Sequence, residues 1–141
     1  MKKIIFIFVA SLVLFFSSCG VRDLKIDDYE WKMRYVMHGE DCQVVVDAVG
    51  EYDPTHPEAK IVELILVAKA GKITLNDLTN QKIYEGTYTI ERTTPAGTDY
   101  KVIIEGNEGY ATVAMTSYRD GRGVPTLPVN LGTHSIYFYA E

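Results

Sequence analysis

From Tyr29 to His38 an apolar or aromatic side chain stands at every odd position, with mostly polar ones between. Period two sustained over ten residues predicts a strand with one dry and one wet face. Gly39-Glu40-Asp41 supplies turn chemistry, and the valine-rich stretch from Cys42 to Gly50 predicts a second strand, antiparallel to the first. Glu51 to Pro57 reads as a loop because Pro54 and Pro57 suit neither element interior. Residues 58–70 admit two readings. Pro57 at a first helical position and Gly71 just past the end suit a helix. The β-branched Ile61, Val62, Ile65 and Val67, with Val62, Leu64, Leu66 and Ala68 sharing a face, suit a strand. The strand is preferred, because Lys69-Ala70-Gly71-Lys72 also reads as a hairpin loop leading into Ile73-Thr74-Leu75.

The carboxy-terminal half repeats this pattern. Lys82 to Glu91 sets Tyr84, Gly86, Tyr88 and Ile90 on one face and Glu85, Thr87, Thr89 and Glu91 on the other. Residues 94–99 turn the chain into a strand lined by Tyr100, Val102 and Ile104. Gly106-Asn107-Glu108-Gly109 turns it again into Tyr110 to Tyr118. After the polar loop 119–125, Pro128 inside Leu127-Val129-Leu131 predicts a sheet edge or no sheet at all. His134 to Ala140 is the final strand. Seven to nine short strands joined by turns predict an all-β, antiparallel up-and-down meander closed into a small barrel, with a β-sandwich as the alternative.

The first residues follow a different rule. Met1-Lys2-Lys3 is a short positive segment, and Ile4 to Phe16 run apolar apart from Ser11. A helix of about 13 residues rises roughly 20 Å, short of a hydrocarbon core of about 30 Å, so the run predicts an export signal instead of a permanent span. Phe16-Ser17-Ser18-Cys19-Gly20 then places small residues directly before a cysteine. This junction resembles the lipobox of bacterial lipoproteins, with Phe16 where that family usually has Leu. The resemblance implies cleavage before Cys19. Cys19 would then carry a diacylglyceryl thioether and an N-acyl chain such as palmitate. No Asp follows Cys19, so the resemblance implies display at the outer membrane or cell surface. The organisation expected is a signal peptide over 1–18, a lipidated cysteine and tether over 19–28, and one β domain over 29–141.

Composition excludes several classes. With 47% hydrophobic and 23% charged residues and 14 Lys+Arg against 19 Asp+Glu, the chain is neither disordered nor a basic nucleic-acid binder. Cleavage at Cys19 removes Lys2 and Lys3 and takes the formal charge from −5 to −7, which repels nucleic acid and anionic lipid alike. Membrane contact is then expected through the anchor. The second cysteine, Cys42, belongs to the alternating set Cys42, Val44, Val46, Ala48 and reads as a small buried hydrophobe.

Lys69-Ala70-Gly71-Lys72 followed by Tyr84-Glu85-Gly86-Thr87-Tyr88-Thr89-Ile90, with Trp31 in the opening strand, resembles the small lipocalin-like lipoproteins of Gram-negative bacteria. The resemblance implies a barrel over residues 29 to 141. No nucleophile elbow, phosphate-binding loop or paired-histidine zinc motif is present, so no enzyme and no cofactor are expected. Glu51, Asp53, His56 and Glu58, and separately His38, Glu40 and Asp41, carry oxygen and imidazole donors but lack the spacing of a calcium loop; no metal is expected.

Two candidate contact regions remain. Trp31, Met33, Tyr35, Met37, Tyr84 and Tyr88 form a face that either lines a cavity for a small amphipathic ligand or fills the core. Arg119 and Arg122, on a glycine-containing loop, are candidates for a partner contact. The function expected is a non-catalytic binding module for a small ligand or an envelope protein. The alternative is a structural accessory subunit of an envelope assembly, with a filled core.

Overall fold

The computed structural model describes residues 23–38, 63–132 and 134–140. The leader, Cys19, the valine-rich stretch 42–50 and the loop 51–57 lie outside them. A 3-10 turn (Ile26–Asp28) precedes eight strands: β1 (Glu30–His38), β2 (Leu64–Lys69), β3 (Lys72–Asp77), β4 (Lys82–Thr94), β5 (Gly97–Ile104), β6 (Asn107–Ser117), β7 (Gly123–Leu131) and β8 (His134–Tyr139). Each strand pairs antiparallel with the next and β8 pairs with β1, so the sheet closes into an up-and-down barrel of the small lipocalin-like kind. Residues 64–69 are strand, not helix.

Alternation builds the wall. β5 alternates half-buried and buried residues along its whole length, and β2 buries Leu64, Leu66 and Ala68 while Val67 faces out. Two turns have the geometry that suits the twist of adjoining strands: Ala70 and Gly71 take φ of 50° and 80°, and Glu105 and Gly106 take 48° and 79°. The second of these turns thus falls on Glu105-Gly106, with Asn107 and Gly109 already in β6. Gly109 is needed for packing: a Cβ there would lie 1.9 Å from the Asn130 carbonyl oxygen on β7.

Pro128 does not mark an edge. β7 lies between β6 and β8, with Pro128 opposite Tyr137. On the other side the register gives Ala111↔Val129 and then Ala114↔Thr126, so the ladder passes over a residue that has no N–H to donate. Closure leaves no free edge at β7 for another chain to extend.

β1 carries one irregularity. Its register with β8 runs Met33↔Phe138 and then Tyr35↔Tyr137, so Arg34 is an extra residue. The buried set therefore passes from Trp31 and the half-buried Met33 to Val36, an even position.

The lower end of the barrel, for short, is where β1 starts, together with the turns at 70–71 and 95–96 and the loop 118–122. Turns 78–81 and 105–106 mark the upper end. Leu24 and Ile26 fall within the stretch read as tether, yet both are buried and belong to the core. They close the lower end because Ile26 is pinned twice: its N–H donates to the Tyr100 hydroxyl (3.1 Å) and its carbonyl accepts from Trp31 Nε1 (2.7 Å). The packed domain thus begins several residues before Tyr29.

Candidate functional site

Six of the largest inward side chains, Trp31, Leu66, Leu75, Tyr100, Leu127 and Phe138, are at most 2% exposed and belong to one apolar cluster. An eight-stranded barrel is wide enough for its own side chains to fill or for one small ligand, and these side chains pack together in the described part of its interior. Met33, Tyr84 and Tyr88 pack half-buried against the cluster. Trp31 takes Tyr29 edge-on at 5.3 Å, and Tyr88 meets Tyr100 edge-on at 5.7 Å. Of the six residues expected to share a face, the structure brings Trp31, Met33, Tyr84 and Tyr88 to the core. The backbones of Tyr35 and Met37 follow the bulge in β1, and their side chains lie outside the described residues.

Burial also sets the chemistry of Tyr100. Removal from water pushes its hydroxyl above the ordinary tyrosine range, and the N–H of Ile26 offsets part of the shift by donating to the oxygen. This hydroxyl anchors the 3-10 turn and stays protonated at neutral pH. Asp77, only 1% exposed, ends β3 by accepting from the Asn80 backbone N–H (2.8 Å) and from Asn80 Nδ2 (2.7 Å). Both of its oxygens are used in closing the upper turn, so it reads as a structural carboxylate.

The outer wall offers a more open site. A groove of about 460 Å³ runs over β6, β7, β8 and β1, lined by Arg34, Thr116, Tyr118, Thr126, Pro128, Tyr137, Phe138 and Tyr139. Tyr137 and Tyr139 are alternate residues of β8, opposite Pro128 and Thr126 of β7. The hydroxyls of Thr126 and Thr116 lie 2.9 Å apart across the β6–β7 step. Arg34 crosses this surface. β1 and β6 have β8 and β7 between them, about 14 Å at ordinary strand spacing. The Arg34 guanidinium nevertheless donates to the Tyr118 hydroxyl (2.7 Å) and lies 5.7 Å from the centre of its ring. Two long side chains meeting end to end bridge the groove, and the bulge at Arg34 is what aims one of them. The groove thus combines aromatic rings, hydroxyls and one cation.

Arg119 and Arg122 lie next to this groove on the loop that Tyr118 begins. Both are exposed. Arg122 is turned inward along its own loop, with Nε 2.6 Å from Asp120 Oδ2, while the Tyr118 N–H donates to the Arg122 carbonyl (2.9 Å). The loop is therefore a compact turn tied at its base. Near the foot of the barrel, Asp99 accepts from Arg92 Nη2 (2.6 Å), Arg92 Nε (3.0 Å) and the Thr112 hydroxyl (2.9 Å). The Arg92 and Thr112 hydrogen bonds hold its carboxyl below the usual range.

Among the described residues no three His, Cys, Asp or Glu side chains gather as metal ligands do. Glu40, Asp41, Cys42, Glu51, Asp53, His56 and Glu58, and the side chains of His38 and His134, lie outside the described set. No family model, curated protein or solved structure matches the chain.

The groove residues Arg34, Tyr118, Tyr137 and Tyr139 were not singled out by sequence. The sequence signal available was the alternation of Tyr137 and Tyr139 with the core residues Ile136 and Phe138. Their meeting with Arg34 depends on the β1–β8 seam and the bulge, for which there is no local sequence signal.

Proposed function

We propose that this protein is a lipid-anchored, non-catalytic binding module of the cell envelope that takes its ligand on the outside of its barrel. The Ser-Ser-Cys junction after a short apolar run supports the anchor. The single observation that carries the binding reading is the Tyr118/Tyr137/Tyr139 groove on the outer wall. Its chemistry suits an amphipathic ligand, or a partner segment, that lays an apolar face on the tyrosine rings and offers polar atoms to Thr116, Thr126 and Arg34.

The test compares native protein with the double variant Tyr137→Ala/Tyr139→Ala. Both are used to capture ligands from envelope extract, with bound species identified by native mass spectrometry. Loss of captured species in the variant supports the groove; an unchanged set removes it. Intact-mass measurement of the native chain tests the anchor separately, since a mature chain without acyl mass on Cys19 contradicts lipidation. Robust turnover of a substrate by the purified domain contradicts the non-catalytic reading.

A further inference from the structure

At the lower end the inner face of the sheet runs on past the core. β3 pairs with β4 only as far as Lys72↔Thr87, while β4 continues to Thr94 with β5 alone beside it. Ile90, opposite the buried Tyr100, belongs to the inward set by register yet is 59% exposed. Met115 continues the inward set Ala111 and Val113 of β6 and is 48% exposed. Beside Met115, Leu24 and residues 94–98 line a hollow of about 220 Å³. Two large apolar side chains on a core-facing surface are thus left uncovered at one rim.

Two further observations concern what covers that rim. First, Asp23 lines the hollow and is four residues from Cys19, so Cys19 lies within about 14 Å of it even with the chain fully extended. β5 alone spans roughly 26 Å, so an anchor on Cys19 does not reach the upper end. Second, charge is distributed unevenly along the barrel. All four described arginines serve the lower end: Arg92, Arg119 and Arg122 sit there and Arg34 reaches Tyr118. Together with Lys25, Lys69 and Lys72 they balance Asp23, Asp27, Asp28, Glu30, Glu91, Asp99 and Asp120. Among the described residues the upper end carries Glu63, Asp77, Glu85, Glu105 and Glu108 against Lys82 and Lys101.

From these we infer that the lower rim is a lipid-facing surface. Ile90 and Met115 enter the interfacial layer of the bilayer that holds the Cys19 lipid, the arginines lie at headgroup level, and the acidic upper end points away. Arg119 and Arg122 then contact phosphate instead of a protein partner. The inference rests on the lipid-anchor reading above.

The test uses the full lipidated protein in phosphatidylcholine vesicles with about one fifth anionic phosphatidylglycerol, carrying brominated acyl chains that quench tryptophan on contact. Ile90→Trp and Met115→Trp report on the lower rim. Ile83→Trp, near the upper end of β4 and 66% exposed in the native residue, is the control. The expected result is quenching at least about twofold greater for the two rim probes than for the control, whose loss of signal matches that of the buried Trp31 alone. Equal quenching of all three probes, or none in protein that floats with the vesicles and bears acyl mass, overturns the orientation while leaving the anchor standing. Absence of both flotation and acyl mass overturns the anchor and this inference with it. Dimers in detergent that shield both rim probes without lipid assign the rim to a second copy and also overturn it.

Discussion

Tyr100 and Tyr137 are tyrosines on one barrel wall, yet they face opposite solvents. Tyr100 points into the core, 1% exposed, with its hydroxyl committed to the backbone of Ile26. Tyr137 lines the outer groove, half-buried, beside Pro128 and Tyr139. Inside, a tyrosine hydroxyl must find a protein partner, because an unpaired buried polar group costs about 1–3 kcal/mol. Outside, the ring lines a groove that is open to a ligand. The residue type alone thus does not distinguish a core residue from a binding residue; the parity of the strand and the register of its neighbours do.

The strongest way to sharpen that contrast is to empty the inside. Trp31→Ala removes a fully buried ring together with the bond that holds Ile26, and should lower unfolding stability by about 3–5 kcal/mol in a denaturant titration. Gly109→Ala forces a methyl group against the Asn130 carbonyl and should cost about 1–3 kcal/mol, since neither backbone can move without disturbing the β6–β7 ladder. Tyr100→Phe keeps the ring and deletes the hydroxyl, leaving the buried Ile26 N–H without its acceptor, for a loss of about 1–3 kcal/mol.

The same variant has a pH signature. Because folding raises the Tyr100 pKa, its contribution is fully present below the unfolded value of about 10 and is lost as pH climbs through the folded value. Wild type should therefore lose stability progressively above about pH 10. Tyr100→Phe should show a shallower alkaline decline, and parallel pH curves for the two proteins contradict the assignment. On the outside the expectation reverses. Tyr137→Ala/Tyr139→Ala should change stability by only about 1 kcal/mol while abolishing ligand capture, and a large loss of stability would make the groove part of the core after all.

Much of the wall was legible in the chain. The period of two in residues 64–69 and 100–104 gave strands with the correct faces, and Ala70-Gly71 gave a two-residue turn where a left-handed backbone is required, whereas the turn expected over 94–99 narrows to Pro95-Ala96 because β4 runs on to Thr94 and β5 starts at Gly97. Three features were not legible, each for a physical reason. The bulge at Arg34 adds one residue without altering the local alternation, so period two gives no sign that the even position Val36 is buried. Leu24 and Ile26 are isolated aliphatics among charges, and only the Tyr100 hydroxyl and the Trp31 ring, distant in sequence, make them core. Pro128 reads as an edge signal in any single strand, but a barrel tolerates one missing donor when the register on both sides carries through. The groove residues come from four strands, so no short window of sequence holds them together.

The seam between β1 and β8 also governs how the molecule can be made. Seven of the eight ladders join strands that follow one another in the chain, and these form from local encounters. The eighth ties Lys32 to Tyr139, about a hundred residues apart in sequence, and closes only once the strands between them have brought the two ends together. A chain delivered from its amino terminus therefore cannot complete its barrel until the last strand has arrived. Until then both β1 and the latest strand expose unpaired edges, so the newly delivered protein is most open to capture by an escort, and to aggregation, just before its final six-residue strand locks it shut.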